Sequence, residues 1–190
     1  IVKNFRREQT PVQKVYYNEN VYRISGASRR YREIMQTGIE CLGEVAMPEL
    51  CEMVVLAAKS LQSISQNYVL DLSHLGIIAE ILNPLSLSQE ERAEALQMLG
   101  QKNLDALRQL LSPLGEAANP LLTLTALSGQ LDELLPALRP LCRTSRAERA
   151  YAELQLLSSI LKDEGLETQV RLEFSIVNDM NYYNGLVFRG

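Results

Sequence analysis

Cysteine and histidine are scarce in this chain. Its three cysteines, Cys41, Cys51 and Cys142, are scattered, and no two have Cys-x-x-Cys spacing. The only histidine, His74, is far from all three along the chain. That pattern excludes the usual zinc ligand sets and a disulfide framework, so no metal is expected and a reduced, cytoplasmic setting is the simple reading. Excess positive charge is also missing: 19 Lys and Arg stand against 23 Asp and Glu, for a formal net charge of -4. A large nucleic-acid footprint needs a basic face, so no nucleic-acid partner is expected. No run approaches the roughly 18 to 20 apolar residues of a membrane span, so no membrane partner is expected either. Ile1 to Thr10 carries Lys3, Arg6 and Arg7 without an apolar run, unlike a signal peptide. Gly-x-Ser-x-Gly, His-Glu-x-x-His, Walker and dinucleotide glycine signatures are absent, and no cofactor is expected.

What is present is enough for a real core. The 190 residues are 46% hydrophobic and 22% charged, which suits one folded domain with room for an insertion and argues against disorder. The two ends read as sheet and the middle as helix. Gln13 to Ile24 and Arg30 to Leu42 are expected strands of an antiparallel hairpin, with Asn18–Glu19–Asn20 as a possible turn and a basic tip at Arg29 and Arg30. Met47 to Ser65 has apolar residues at helical spacing, with Pro48 in its first turn. Tyr68 to Leu72 reads as a short strand, and Leu75 to Leu82 as a helix ending at Asn83–Pro84.

From residue 84 to 144 the chain is Leu-rich, punctuated by prolines, and expected to be a helical insertion subdomain. Within it, Ser88 and Glu91 form a capping-box pattern. Ser145 to Glu164 predicts one long amphipathic helix, closed by Gly165. Thr168 to Val177 and Tyr182 to Phe188 are the expected closing strands. The fold class is therefore α+β.

Strand parity singles out one candidate site. Arg32, Ile34, Gln36, Gly38 and Glu40 share a face, which places an amide and a carboxylate on either side of a glycine. At about 3.3 Å per residue the two lie roughly 13 Å apart, with a gap over Gly38 where no side chain intrudes. Such a face could cradle a small zwitterion or a cation. It also describes a strand face that simply meets water, and the pattern alone leaves both open. Tyr182 and Tyr183 could contribute a phenol to a pocket, or serve only as strand aromatics. Asp71 and His74 suggest an acid/base pair only beside a nucleophile, and a structural histidine is the commoner case. The cluster Arg29, Arg30 and Arg32 suits phosphates or a solvated loop equally well.

Two segments add a family resemblance. VYYNENVYRISGASRRYREIMQTGIECLGE, Val15 to Glu44, resembles the motif 2 hairpin of class II aminoacyl-tRNA synthetases in its histidyl form. LEFSIVNDMNYYNGLVFRG, Leu172 to Gly190, resembles the histidine-specific motif of that family. YVLDLSHLGIIAEIL, Tyr68 to Leu82, is closer to the regulatory-subunit paralogues, and the segment between has the length of the family's helical insertion. The resemblance implies a class II antiparallel sheet flanked by helices, here as an incomplete core domain over 1–190. Motif 1 would lie before Ile1 and motif 3 after Gly190. It also implies a histidine site: Gln36 and Glu40 on the positions that hold the amino group and the imidazole, Tyr182 and Tyr183 on the pair that closes the pocket, and Arg23 on the motif 2 arginine that meets the substrate carboxylate and the ATP α-phosphate.

The adenylation side departs from that pattern. Ser25 stands where a synthetase has a glutamate, Asn178 where it has an arginine, and Asn181 where it has an aspartate. Adenylation joins two anionic groups and needs preorganised positive charge, so a lost arginine points to lost chemistry, and no catalytic residue is expected. This resembles the regulatory subunits of ATP phosphoribosyltransferase. In that family a synthetase-like, non-catalytic subunit, as a homodimer within a hetero-oligomer, activates a short catalytic subunit and mediates inhibition by histidine. A histidyl-tRNA synthetase, or a histidine sensor with another partner, is the alternative.

Overall fold

β-Branched and aromatic residues in alternation draw the N-terminal segment into two long strands, β1 (Val12–Ile24) and β2 (Tyr31–Gly43). In the computed structural model, which describes residues 12–24, 30–177, 180 and 183–190, they pair antiparallel without a break, from Val12 opposite Gly43 to Ile24 opposite Tyr31. The turn expected at Asn18–Glu19–Asn20 does not form. Asn18 Oδ1 accepts from Thr37 Oγ1 at 2.9 Å and Asn20 Nδ2 donates to Glu33 Oε1 at 2.7 Å. These turn-forming side chains are satisfied across the ladder, and they no longer compete with it. Helix α1 (Met47–Ile64) follows, with Glu49 Oε2 accepting from the Ala46 amide at 3.1 Å. The chain divides into two compact units inside this helix, Ile1–Met53 and Val54–Gly190.

The second unit is built on a four-stranded mixed sheet of order β4–β5–β3–β6. Its strands are β3 (Leu70–His74), β4 (Ser128–Gln130), β5 (Val170–Glu173) and β6 (Leu186–Arg189). β3 and β5 run parallel, while β6 and β4 are antiparallel to their neighbours. A parallel pair needs a long crossover, and the helices between these strands supply it. They are α2 (Leu75–Leu82), α3 (Gln89–Gly100), α4 (Leu104–Leu111), α5 (Asn119–Ala126), α6 (Leu131–Leu138) and α7 (Ser145–Asp163). Helix α2 is apolar almost all round, which suits a helix packed against α7, α5 and β6 together. Helix α7 presents Ala147, Ala150, Tyr151, Leu154, Leu157 and Leu161 as one buried stripe. One sheet face, Leu70, Leu72, Val170 and Leu172, is wholly buried.

Helix ends follow local chemistry. Ser88 Oγ accepts from the Glu91 amide at 3.1 Å, and Glu91 Oε2 accepts from the Ser88 amide at 2.8 Å, so the expected capping box is formed. Thr144 Oγ1 caps α7 by accepting from Ala147 N at 3.1 Å, and its own proton goes to Glu80 Oε2 at 2.7 Å. Gly165 takes a left-handed φ of 68°. Its amide bonds Lys162 O and the Leu166 amide bonds Leu161 O, the paired reversal that ends a helix on glycine.

The closing strands are shorter than expected. β5 stops at Glu173, whose carboxylate accepts from the Ser175 amide and turns the chain, and Gly185 at φ 75° interrupts the extended run before β6. Residues 84–144 are mainly helical, but Ser128–Gln130 leaves the helices to form the edge strand β4 beside β5.

Glu173 is the buried charge of this unit, 3% exposed. Burial pushes its carboxyl upward, but Lys102 Nζ at 2.6 Å, Ser128 Oγ at 2.8 Å and the Ser175 amide at 3.0 Å outweigh burial and hold its pKa at about 2. The folded value lies below the ordinary 4.5, so the stabilisation is complete above that pH and is lost as pH falls through about 2. Glu173→Gln should lower the unfolding free energy near neutrality by about 1.5–3 kcal/mol. In urea titrations its deficit against wild type should close as pH drops from 4.5 toward about 2. Thr144→Ala should cost about 1 kcal/mol in the same assay, through the lost cap.

Candidate functional site

The uninterrupted hairpin register decides which side chains share a face. Opposite residues of an antiparallel pair point the same way, so Val15, Tyr17, Glu19, Val21 and Arg23 join Glu40, Gly38, Gln36, Ile34 and Arg32. Three of the expected site residues, Arg23, Gln36 and Glu40, therefore lie on one face.

Two of them are linked directly. Arg23 Nη2 donates to Gln36 Oε1 at 3.0 Å, and Gln36 Nε2 donates to the Tyr17 hydroxyl at 2.8 Å. Glu40 is exposed and forms no hydrogen bond or ion pair with another described residue. Arg23 and Arg32 stand directly opposite each other, with like charges that repel unless one is drawn away, and Arg23 is drawn to Gln36. The face thus carries guanidinium groups at Arg23 and Arg32, the Gln36 amide with Glu19 opposite it, and the Glu40 carboxylate. It offers both signs of charge and an amide to a small zwitterion.

Strand parity had left Gly38 as open backbone. The structure corrects this, because Tyr17 is the cross-strand partner of Gly38 and a Cβ at that position would overlap the Tyr17 ring. Tyr17 is the side chain of this face that sequence reasoning missed. Finding it needed the register of β1 on β2, which face alternation within one strand does not supply.

The other candidates are placed as follows. Tyr183 belongs to the second unit, precedes β6 and is 46% exposed. Tyr182, Ser25, Arg29, Asn178 and Asn181 lie outside the described residues. Arg30 and Arg32 are exposed. Asp71 and His74 do not pair: three residues apart on a strand, they take opposite faces. Asp71 Oδ1 accepts from Arg171 Nε at 3.2 Å and Nη2 at 3.1 Å, while His74 Nε2 meets Glu153 Oε2 at 3.0 Å. The His74 contact holds the Glu153 carboxyl below its ordinary value against the opposing effect of burial. His74 is buried and acts as a structural partner.

A cavity of about 190 Å³ in the second unit is lined by Pro84, Pro120, Pro140 and Ala147, and by Arg143 beside Thr144 and Glu80, which bond each other. Among the described residues, no group of His, Cys, Asp and Glu could hold a metal ion, and no helix is long and apolar enough to cross a membrane.

A family model described as histidyl-tRNA synthetase matches residues 1–190. An ATP phosphoribosyltransferase regulatory subunit of Desulfitobacterium hafniense is 30% identical over 181 residues, 93% of this chain and 46% of that protein. A histidine–tRNA ligase of Methanococcus maripaludis is 28% identical over 193 residues, 98% of this chain and 45% of that protein. The chain therefore spans a little under half the length of these curated relatives.

Among solved structures, an ATP phosphoribosyltransferase regulatory subunit/histidyl-tRNA synthetase from Bacillus halodurans superposes with a TM-score of 0.81 at 23% identity, covering 94% of this chain and 47% of that one. The ATP phosphoribosyl transferase (HisG:HisZ) complex from Thermotoga maritima gives 0.75 at 18% identity, covering 98% and 66%. At these identities the two structures show the shared fold.

Because Glu40 is exposed and has no partner among the described residues, Glu40→Ala should shift unfolding free energy by no more than about 0.5 kcal/mol. Chemical denaturation of the variant checks this, and a larger loss would mean that Glu40 has a structural role.

Proposed function

The chain belongs to the histidyl-tRNA synthetase family, and from that premise we propose that it forms the histidine-binding core of a regulatory subunit of ATP phosphoribosyltransferase rather than of a tRNA-charging enzyme. One contrast carries the reading. The hairpin face keeps Arg23, Gln36 and a Glu40 without a described partner, charges of both signs that suit an amino acid, while Asn178 and Asn181 stand where the resemblance expects an arginine and an aspartate.

Binding and chemistry make different demands on such a site. A zwitterion needs an anion, a cation and an amide placed around it, and these are ground-state contacts. Joining a carboxylate to a phosphate needs positive charge aimed at the charge that develops in the transition state. Loss of one such donor costs about 10²- to 10³-fold in rate. A subunit that keeps the first set and lacks the second binds its ligand and leaves it unchanged. By the family resemblance Tyr182 and Tyr183 are assigned to histidine binding as well, and residues 84–144 are the family's helical insertion in this reading.

The regulatory role then follows as a coupling between two sites. The subunit activates a short-form catalytic subunit by stabilising its competent state, and histidine inhibits by favouring the other arrangement. The coupling is reciprocal, so the catalytic partner must change histidine affinity by the factor by which histidine changes the partner's equilibrium. Homodimerisation within the hetero-oligomer belongs to the same proposal, as does a cytoplasmic site of action. The second reading, a working histidyl-tRNA synthetase, is favoured by the ligase among the relatives.

Calorimetry with histidine on the full-length protein, beside an ATP–pyrophosphate exchange assay and an assay of the short catalytic subunit, separates the two. The expected result is histidine binding, no exchange, and histidine-sensitive activation of the partner. Glu40→Ala should lose histidine binding while remaining folded. Exchange at a synthetase-like rate would overturn the regulatory reading, and unchanged affinity in Glu40→Ala would remove that residue from the pocket.

A further inference from the structure

We infer that Tyr17 is a positioning residue of the ligand site, setting the Gln36 amide and forming the floor between Gln36 and Glu40. The first half follows from donor and acceptor chemistry. A guanidinium can only donate, so the group facing Arg23 Nη2 at 3.0 Å must be the Gln36 oxygen. That orientation turns Nε2 toward Tyr17, whose hydroxyl accepts at 2.8 Å. Tyr17 thereby uses a hydroxyl lone pair on Gln36 and acts on a ligand through that amide. The amide, held at both ends, retains one N–H and one carbonyl lone pair for a ligand, in a fixed orientation. Without the hydroxyl, the Arg23 contact alone would tether Gln36, and the side chain could turn about it.

The second half follows from Gly38. Tyr17 and Gly38 are directly opposite in the ladder, and a Cβ on residue 38 would fall within the Tyr17 ring atoms. The ring therefore lies across the strand in the space that glycine leaves, half-buried, between the Gln36 and Glu40 side chains on the same face. A ligand bridging the amide and the carboxylate rests on an aromatic surface, which suits a planar or cationic group, instead of on bare backbone. Glycine at 38 is needed here to admit the ring, and its φ is not in the left-handed region.

This inference rests on the hairpin face being the histidine site. Its test is histidine calorimetry on the full-length wild type, Tyr17→Phe, Gly38→Ala, Gln36→Ala and the Tyr17→Phe/Gln36→Ala double variant. Tyr17→Phe removes one oxygen and should weaken histidine binding about three- to tenfold. Gly38→Ala changes neither residue of the hydrogen bond, yet its Cβ displaces the Tyr17 ring and should weaken binding at least as much. In the double variant the loss should equal that of Gln36→Ala alone, because the hydroxyl acts through the amide. A general structural effect would instead add to it. Wild-type affinity in Tyr17→Phe, or additive losses in the double variant, would overturn this inference and leave the pocket reading standing. A wild-type protein that does not bind histidine would overturn both. If Gly38→Ala does not fold, Tyr17→Phe and the double variant still decide the question.

Discussion

The second unit is organised around a carboxylate that has almost no access to water. Glu173 ends β5, and its two oxygens gather Lys102 from the turn between α3 and α4, Ser128 from β4 and the backbone amide of Ser175. A buried charge is costly unless fully partnered, and once partnered it is costly to disturb. Lys102 adopts a left-handed backbone, φ 55°, which L-residues usually avoid, at the turn that presents its ammonium to Glu173. β4 lies beside β5 with Ser128 directly opposite Glu173. The end of the parallel strand, the small edge strand and the turn between α3 and α4 are thus joined at one residue.

A second polar pair works within the apolar layer. His74 closes β3 and meets Glu153 on α7, so the sheet and the long helix share a hydrogen bond as well as a leucine-rich contact surface. The opposite sheet face carries Arg171 beside Asp71 across the parallel pair. These groups look like catalytic candidates when taken one at a time. In the fold each is occupied with a neighbour, and together they orient strands and helices. Chemistry-bearing residue types have been used for architecture in this unit.

The hairpin reverses that allocation. Its network of Arg23, Gln36 and Tyr17 is preorganised but still has unused donors and acceptors, and Glu40 has no described partner. Groups held in place without being fully satisfied are what a reversible ligand needs, because it then supplies the missing contacts without a large ordering cost. A site of this kind fits proposed sensing better than turnover.

Most of the elements could be read along the chain because local rules specify them. Apolar spacing located α1, α2 and α7, the Ser88–Glu91 pair marked the start of α3, and Gly165 marked the end of α7, since each of these signals acts within a turn or two of helix. Alternation on β2 likewise put Gln36, Gly38 and Glu40 on one face, because side chains on a strand must alternate. Tertiary structure decided what depends on residues far apart. Ser128–Gln130 lies in the stretch expected to be helical and became a strand because β5 offered it an edge and Glu173 a partner. Asp71 and His74 were three residues apart in sequence but were separated by the sheet itself and claimed by Arg171 and Glu153. Tyr17 entered the site only through the register of β1 on β2. A slip of one residue would have moved it to the other face, and register is a property of two strands together, which neither strand's own pattern can state.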